Sequence, residues 1–405
     1  MALVTVPSAM KPMRTPLAWK NLTSSLNKCL LASTGVGFAV VLMFMQIGFR
    51  NALIDNNVQL FTLFDPHVAN LVMVSQARYN ISTEQRFPRA MLEQAASIPG
   101  VTAVCGVSVE RATARVMVQG HVPRPIRVIA VELLHPSFFS DQRLFTRLES
   151  AAAQRGALVD TLSKPAYGFA HNPEVLQRQA VELNARSLPI AGQFTLGTDF
   201  ANDGSLLMSV RLMSDYFPWR SPGGEPADVI DLGLLRVAAH STAELERIAE
   251  QIERIAPQAI DVRPTSYFIA REQNFWANKT PIGKIFLIGT IMGLVVGAII
   301  CFQIQFTDIN EHMPEFATLK AMGYGTAYFW SVILSQSFYL ACLGFVPGLI
   351  VAQGMYWLLA WGSGLVMSMT WDRILLVWGL TLTMCCVSGV LAIRKLFRSD
   401  PASLF

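Results

Sequence analysis

Charge is what this sequence has least of. Only 15% of its 405 residues are Asp, Glu, Lys or Arg, where soluble domains carry about 25%. The shortage sits near the start and in the last third, while the middle has ordinary soluble composition, as in a membrane protein with an inserted aqueous domain. The net charge of +4 comes without a long Lys/Arg run, so no nucleic-acid partner is expected. Cysteine is sparse as well: of six, all but Cys105 fall in apolar runs. The aqueous domain therefore has no internal disulfide, and no Cys/His group has zinc-ligand spacing. Catalytic signatures are also missing. There is no G-x-x-x-x-G-K-[ST], G-x-S-x-G, H-E-x-x-H or C-x-x-C, and the six histidines are scattered. The chain reads as a non-enzyme with no catalytic, cofactor or metal site, whose energy source lies elsewhere.

Long apolar runs are what it does have. Spanning a bilayer takes about 20 apolar residues in helix, and residues 29–49 and 285–306 carry no charge. From Ala321 to Trp371 there is no Asp, Glu, Lys, Arg or His. Pro347, Gly348 and the tract at Gly362 and Gly364 divide that stretch into a third span at 327–357 and a short extracytoplasmic turn at 358–373. The fourth span is 374–393. The first run is longer than a signal-peptide core, and no small-x-small cleavage site follows it, so it reads as an uncleaved anchor. Lys11, Arg14, Lys20 and Lys28 precede the first span, and Arg394, Lys395 and Arg398 follow the fourth. Both termini are then cytoplasmic, in a multi-pass plasma (inner) membrane protein with residues 50–284 outside. No charge lies within a span, which argues against an ion-coupled carrier.

Two features of these membrane regions point to contacts. Pro16, Trp19 and Lys20 suit a short interfacial helix resting on membrane lipid within the N-terminal segment 1–28. Gly289, Gly293 and Gly297 form a doubled G-x-x-x-G, a stripe that lets another helix backbone approach closely, within the chain or in a dimer.

The aqueous domain reads as α+β. Strands are expected at 68–74, 101–109, 112–118, 125–131, 231–238 and 259–263, with helices at 83–98 and 242–255. Ser241 and Glu244 suggest a capping box, and Leu245, Ile248, Ile252 and Ile255 form an apolar stripe. Two strand–helix–strand units bracket a Gly/Pro-rich central segment at about 134–224, expected as an inserted β-rich subdomain. A helix over 265–279 leads through Pro281 into the second span.

The short inner loop, 307–326, carries only Lys320 against Asp308, Glu311 and Glu315. It has the pattern of an amphipathic helix with Phe316, Leu319 and Met322 on one face and Gly323 as its C-terminal cap. The run Glu315-Phe-Ala-Thr-Leu-Lys-Ala-Met-Gly-Tyr resembles the segment between the second and third spans of FtsX/MacB-type ABC transporter permeases (type VII), and more narrowly the DevC branch. The same branch is matched by Pro16-Leu-Ala-Trp-Lys-Asn-Leu-Thr, Leu42-Met-Phe-Met-Gln-Ile-Gly-Phe and Ile190-Ala-Gly-Gln-Phe-Thr-Leu-Gly-Thr-Asp-Phe-Ala-Asn-Asp-Gly. Trp276-Ala-Asn-Lys-Thr-Pro-Ile-Gly and Asp400-Pro-Ala match it as well. Ser24-Ser-Leu-Asn departs from it, being less basic than its relatives.

The resemblance implies a four-span permease with a porter-like α/β part and an inserted β-rich part outside, assembled as a homodimer. It further implies a separate ABC ATPase subunit, a periplasmic membrane fusion (adaptor) protein and a TolC-like outer-membrane channel. By position, the ATPase-coupling residues would be Asp308, Glu311, His312, Glu315, Phe316, Leu319, Lys320, Gly323 and Tyr324. The implied role is mechanotransmission from the ATPase to the outer domain of a tripartite exporter. The alternative is an FtsX-like transmitter that activates an extracytoplasmic partner without transport.

Overall fold

The computed structural model describes residues 26–398, apart from 82, 200, 222, 240 and 364–366. The expected interfacial helix at 16–23 lies outside the described residues. The chain divides into two compact units. One is drawn from Met1–Gly48, Phe286–Tyr356 and Met369–Phe405, the other from Phe49–Ile285 and Trp357–Ser368.

Among the described residues, four helices are long and apolar enough to cross a membrane: Cys29–Asn56, Pro281–Glu311, Ala327–Gly362 and Trp371–Arg394. Each outruns the span read from the sequence, because hydropathy marks the apolar stretch while backbone hydrogen bonding continues beyond it. The second helix runs past 306 through Asp308 and stops at Glu311. Pro314 follows, and its missing N–H removes the partner of a carbonyl one turn back. The third helix does not end near 357. It continues through Pro347 to Ser363, and the fourth resumes at Trp371, so the expected turn at 358–373 is shorter.

Pro347 is tolerated inside the third helix for a visible reason. A proline leaves the carbonyl four residues earlier without its helical donor, here that of Leu343. The Ser33 hydroxyl, from the first helix, donates to that oxygen at 2.7 Å. In lipid, a freed backbone group has to be satisfied in some such way.

The first helix forms the centre of the membrane unit. Half of its apolar window is buried, against 17% for the second helix. Val36, Val40, Met43 and Phe44 pack with Leu340, Ala341 and Phe345 of the third helix and with Val377 and Met384 of the fourth. On the second helix, Ile288, Ile291, Met292 and Ile299 are exposed, as a surface facing lipid would be.

Among the described residues, the large domain contains fourteen strands. They begin with β1 (Leu71–Ser75), β2 (Phe87–Pro88), β3 (Val101–Glu110), β4 (Arg115–Val118) and β5 (Arg124–Pro125). Next come β6 (Arg127–Val131), β7 (Ala157–Asp160), β8 (Val181–Leu183), β9 (Arg186–Ser187) and β10 (Ile190–Phe194). The last are β11 (Ser205–Ser209), β12 (Val229–Ile230), β13 (Leu232–Val237) and β14 (Ile260–Pro264). Eight of them form one mixed sheet in the order β10-β7-β11-β6-β3-β13-β1-β14. β10 runs parallel to β7 and β11 parallel to β6, while the other neighbouring pairs are antiparallel.

The domain is α+β as expected, but its internal division differs from the reading at 134–224. That segment is not β-rich alone: it includes helices Gln142–Ala153, Pro173–Arg178 and Val210–Tyr216. Its strands β7, β10 and β11 extend the main sheet, and only β8 and β9 join β4 and β5 in a second, four-stranded sheet. Strand pairing is long-range, so composition along the segment does not reveal which sheet it completes.

Local signals fared better. Ser241 accepts from the Glu244 N–H at 3.2 Å and caps helix Thr242–Glu253. Ile248 and Ile252 of that helix enter the core against β1 and β14. The helix expected from 83 begins only at Arg89. Pro88 precedes it, paired through β2 to β12, and a residue before proline is held away from helical angles.

Candidate coupling segment between the second and third membrane helices

The segment is a helix end, a nine-residue helix and a glycine turn. Asp308 and Glu311 lie in the last turn of the second helix, which the His312 N–H closes on the Asp308 carbonyl at 3.2 Å. The short helix Met313–Ala321 has Pro314 in its first turn, where the absent N–H costs nothing. Glu315 is exposed near its start, favourably placed toward the positive end of the helix dipole. At the other end, Gly323 adopts φ +93°. The Tyr324 N–H then reaches back to the Leu319 carbonyl at 3.2 Å, the six-to-one bond of a Schellman cap.

Met322 differs from the reading. The regular helix stops at Ala321, but the Met322 N–H still donates to the Thr318 carbonyl at 3.0 Å, and its side chain stands 63% exposed while Leu319 is half-buried. For Phe316 and Lys320 only the backbone positions, within the short helix, are described. Tyr324 is exposed and tilts against Tyr328 with ring centroids 4.8 Å apart.

Of the sequence-predicted residues, Asp308 and His312 are brought together. The His312 Nδ1 sits 2.9 Å from the Asp308 carbonyl and 3.7 Å from its carboxylate. The other Asp308 carboxylate oxygen accepts from the Gln336 side-chain amide of the third helix. One turn inward, Gln305 donates to the Cys385 carbonyl at 3.0 Å and accepts from the Ser337 hydroxyl at 2.9 Å. Farther in, the Ser388 hydroxyl donates to the Ala298 carbonyl at 2.8 Å. Together these form a polar ladder across the second, third and fourth helices. Sequence reasoning missed Gln305, Gln336, Ser337 and Ser388; the available signal was glutamine inside an apolar run.

The doubled G-x-x-x-G faces the first helix of the same chain. A Cβ at Gly289 would lie 2.5 Å from the Gln46 side-chain oxygen, and one at Gly297 2.6 Å from the Ala39 Cβ. Gly293 is looser, with Leu42 Cβ at 3.7 Å. A close backbone approach between the first and third helices went unread: Gly37 meets Gly344 and Gly348, and a Cβ on Gly348 would stand 3.0 Å from the Gly37 carbonyl. Gly344-Phe-Val-Pro-Gly348 has the same small-residue spacing. Among the described residues, no cluster of three or more His, Cys, Asp or Glu is arranged to hold a metal.

Comparison with known families places this geometry. Residues 287–401 match the FtsX-like permease C-terminal family. That stretch of the chain is similar to the family over most of the second helix, the short helix, and the third and fourth helices, and so includes the candidate coupling segment and its polar ladder. No curated protein matches the chain. Among solved structures, the periplasmic region of MacB from Actinobacillus actinomycetemcomitans is similar at 10% identity and a TM-score of 0.35, over 51% of this chain and 94% of that one. The extracellular domain of the ABC-type transporter YknZ from Gram-positive bacteria is similar at 9% identity and a TM-score of 0.32, over 48% and 100%. With four helices of membrane-crossing length and apolarity among the described residues, the chain is a multi-pass membrane protein.

Proposed function

We propose that this chain is the membrane subunit of an ABC exporter, which receives ATP-driven motion from a separate ATPase at Asp308–Tyr324 and relays it to the large domain. What supports this reading is the hydrogen-bonded path behind the segment. Asp308 and Gln336 tie the end of the second helix, where the short helix begins, to the third helix, with His312 closing on Asp308, and Gln305, Ser337 and the Cys385 carbonyl extend the tie to the fourth. A push on the short helix is then delivered to the bundle, not absorbed by a slack connector. Met322 and Tyr324 offer exposed apolar surface to a cytosolic partner.

In this reading both termini and the short helix face the cytoplasm and the large domain is periplasmic. Hydrolysis belongs to the partner chain, since no phosphate-cradling loop is present here. A homodimer with an adaptor protein and a TolC-like channel would complete the path, as in the DevC branch.

The test is Leu319→Asp combined with Met322→Asp. Turnover of the co-purified ATPase is expected to lose its dependence on the membrane subunit, while the unfolding midpoint of the large domain stays unchanged. Unaltered co-purification and turnover overturn the proposal. Coupled turnover without export, in reconstituted vesicles, would favour the transmitter reading.

A further inference from the structure

The large domain holds a polar cleft that the coupling mechanism does not use. It has a volume of about 300 Å³ and is lined by Gln76, Arg78, Tyr79, Arg271, Phe275 and Lys279, with Asn274. Three of these side chains are cationic and none is a carboxylate. We propose that this cleft binds a phosphate-type anion, the head of a phosphate ester.

Unused donors are the main argument. Arg78 is only 4% exposed; it donates to Asp231 at 3.2 Å, yet its buried Nε has no partner among the described residues. Arg271 donates through Nη1 to Asp261 at 2.9 Å, while its buried Nη2 has no partner either. Buried N–H groups without an acceptor are costly and uncommon. A tetrahedral oxyanion supplies several acceptors, and the guanidinium fork matches it. Burial lowers the Arg78 guanidinium to about 10, which leaves it cationic at neutral pH.

The cleft is also held in shape. The Arg271 guanidinium carbon lies 4.6 Å from the Phe268 ring centroid, which fixes the plane of its fork. Tyr79 and Phe275 meet edge to face at 5.2 Å. Lys279 is exposed, with its ammonium 6.0 Å from the Tyr79 ring centroid and no ion pair among the described residues. Phe275–Lys279 is a π-helical turn, a distortion that often marks functional sites.

Position along the chain narrows the source. Lys279 lies two residues before Pro281, where the second membrane helix begins. The cleft wall is thus adjacent in sequence to the membrane-spanning stretch. The phosphate therefore belongs either to a lipid headgroup or to a soluble phosphate ester handled at the membrane surface. The proposal is independent of the coupling segment.

The experiment uses the full chain in phosphatidylcholine nanodiscs and measures inorganic phosphate binding by calorimetry. Wild type is expected to bind. Lys279→Gln, at an exposed position, and Arg271→Gln are each expected to weaken binding by about tenfold, the worth of one charge-assisted hydrogen bond. The unfolding midpoint of Lys279→Gln is expected to equal that of wild type. A second arm adds phosphatidylglycerol to the nanodiscs. Loss of phosphate binding there assigns a lipid headgroup, and undiminished binding assigns a soluble ester. No binding by wild type, or wild-type affinity in both variants, overturns the proposal.

Discussion

The membrane unit and the large domain bury polar side chains in opposite ways. In the membrane unit the fully buried polar residues are neutral: Gln305, Gln336, Ser337, Thr381 and Ser388. Those hydroxyls and amides bond to backbone carbonyls, to each other or, for Gln336, to the Asp308 carboxylate near the helix end, as with Thr381 on the Val377 carbonyl at 2.8 Å. The large domain instead buries whole ion clusters. Arg220, 3% exposed, joins Glu110 at 3.0 Å and Asp231 at 2.6 Å, with Arg78 on the far side of Asp231. Arg127 pairs with Asp199, both side chains almost fully buried. The difference follows from cost: a charge inside a bilayer is penalised heavily, whereas in a folded aqueous domain a paired, hydrogen-bonded charge is tolerated, and removing one partner is what hurts.

This contrast can be broken at four points. Arg220→Met would leave Glu110 and Asp231 without their shared cation and is expected to cost about 3–5 kcal/mol in denaturant unfolding of the large domain. A loss below about 1 kcal/mol would mean the cluster behaves like a surface pair. Gly348→Leu places new atoms where a Cβ already lies 2.8 Å from Val40 and 3.0 Å from the Gly37 carbonyl. It is expected to cost about 1–3 kcal/mol, the usual penalty of overpacking, read from the unfolding of the purified chain in mixed micelles.

Smaller effects sharpen the membrane side. A double-mutant cycle of Gln305→Leu with Ser337→Ala is expected to give a coupling of about 0.6 kcal/mol, as for other interhelical hydrogen bonds in lipid. A value near zero would remove that rung from the ladder. The weakest expected effect is Gly293→Ala, within about 0.5 kcal/mol, because its new methyl would meet Leu42 and Met43 at ordinary contact distance. Should it destabilise as much as the Gly348 change, the second helix packs more tightly against the first than its exposed face implies.

The four helices were legible because a helix in lipid satisfies its own backbone and shows itself as an uninterrupted apolar run. Their ends were less so. The second helix passes through Asp308 to Glu311, and the third runs through Pro347 because a serine on another helix takes up the freed carbonyl. In the coupling segment, the short helix and the Gly323 cap could be read from Pro314 and Gly323, since proline and glycine act on their own backbone. The partners of Asp308 could not: Gln336 lies 28 residues away.

Sequence alone therefore determined the membrane class, the number of apolar helices, the position of the large domain along the chain and the location of the short helix between the second and third membrane helices. Each is set by local composition or by a residue's own backbone preference. The tertiary structure decided that 134–224 completes the main sheet, that the glycine stripes serve contacts within the chain, and that Asp308, Gln305 and Ser337 form one ladder. It also placed Arg78, Arg271 and Lys279 around one cleft. These depend on which distant segments meet, and pairing across long chain separations leaves no periodic mark in either segment alone.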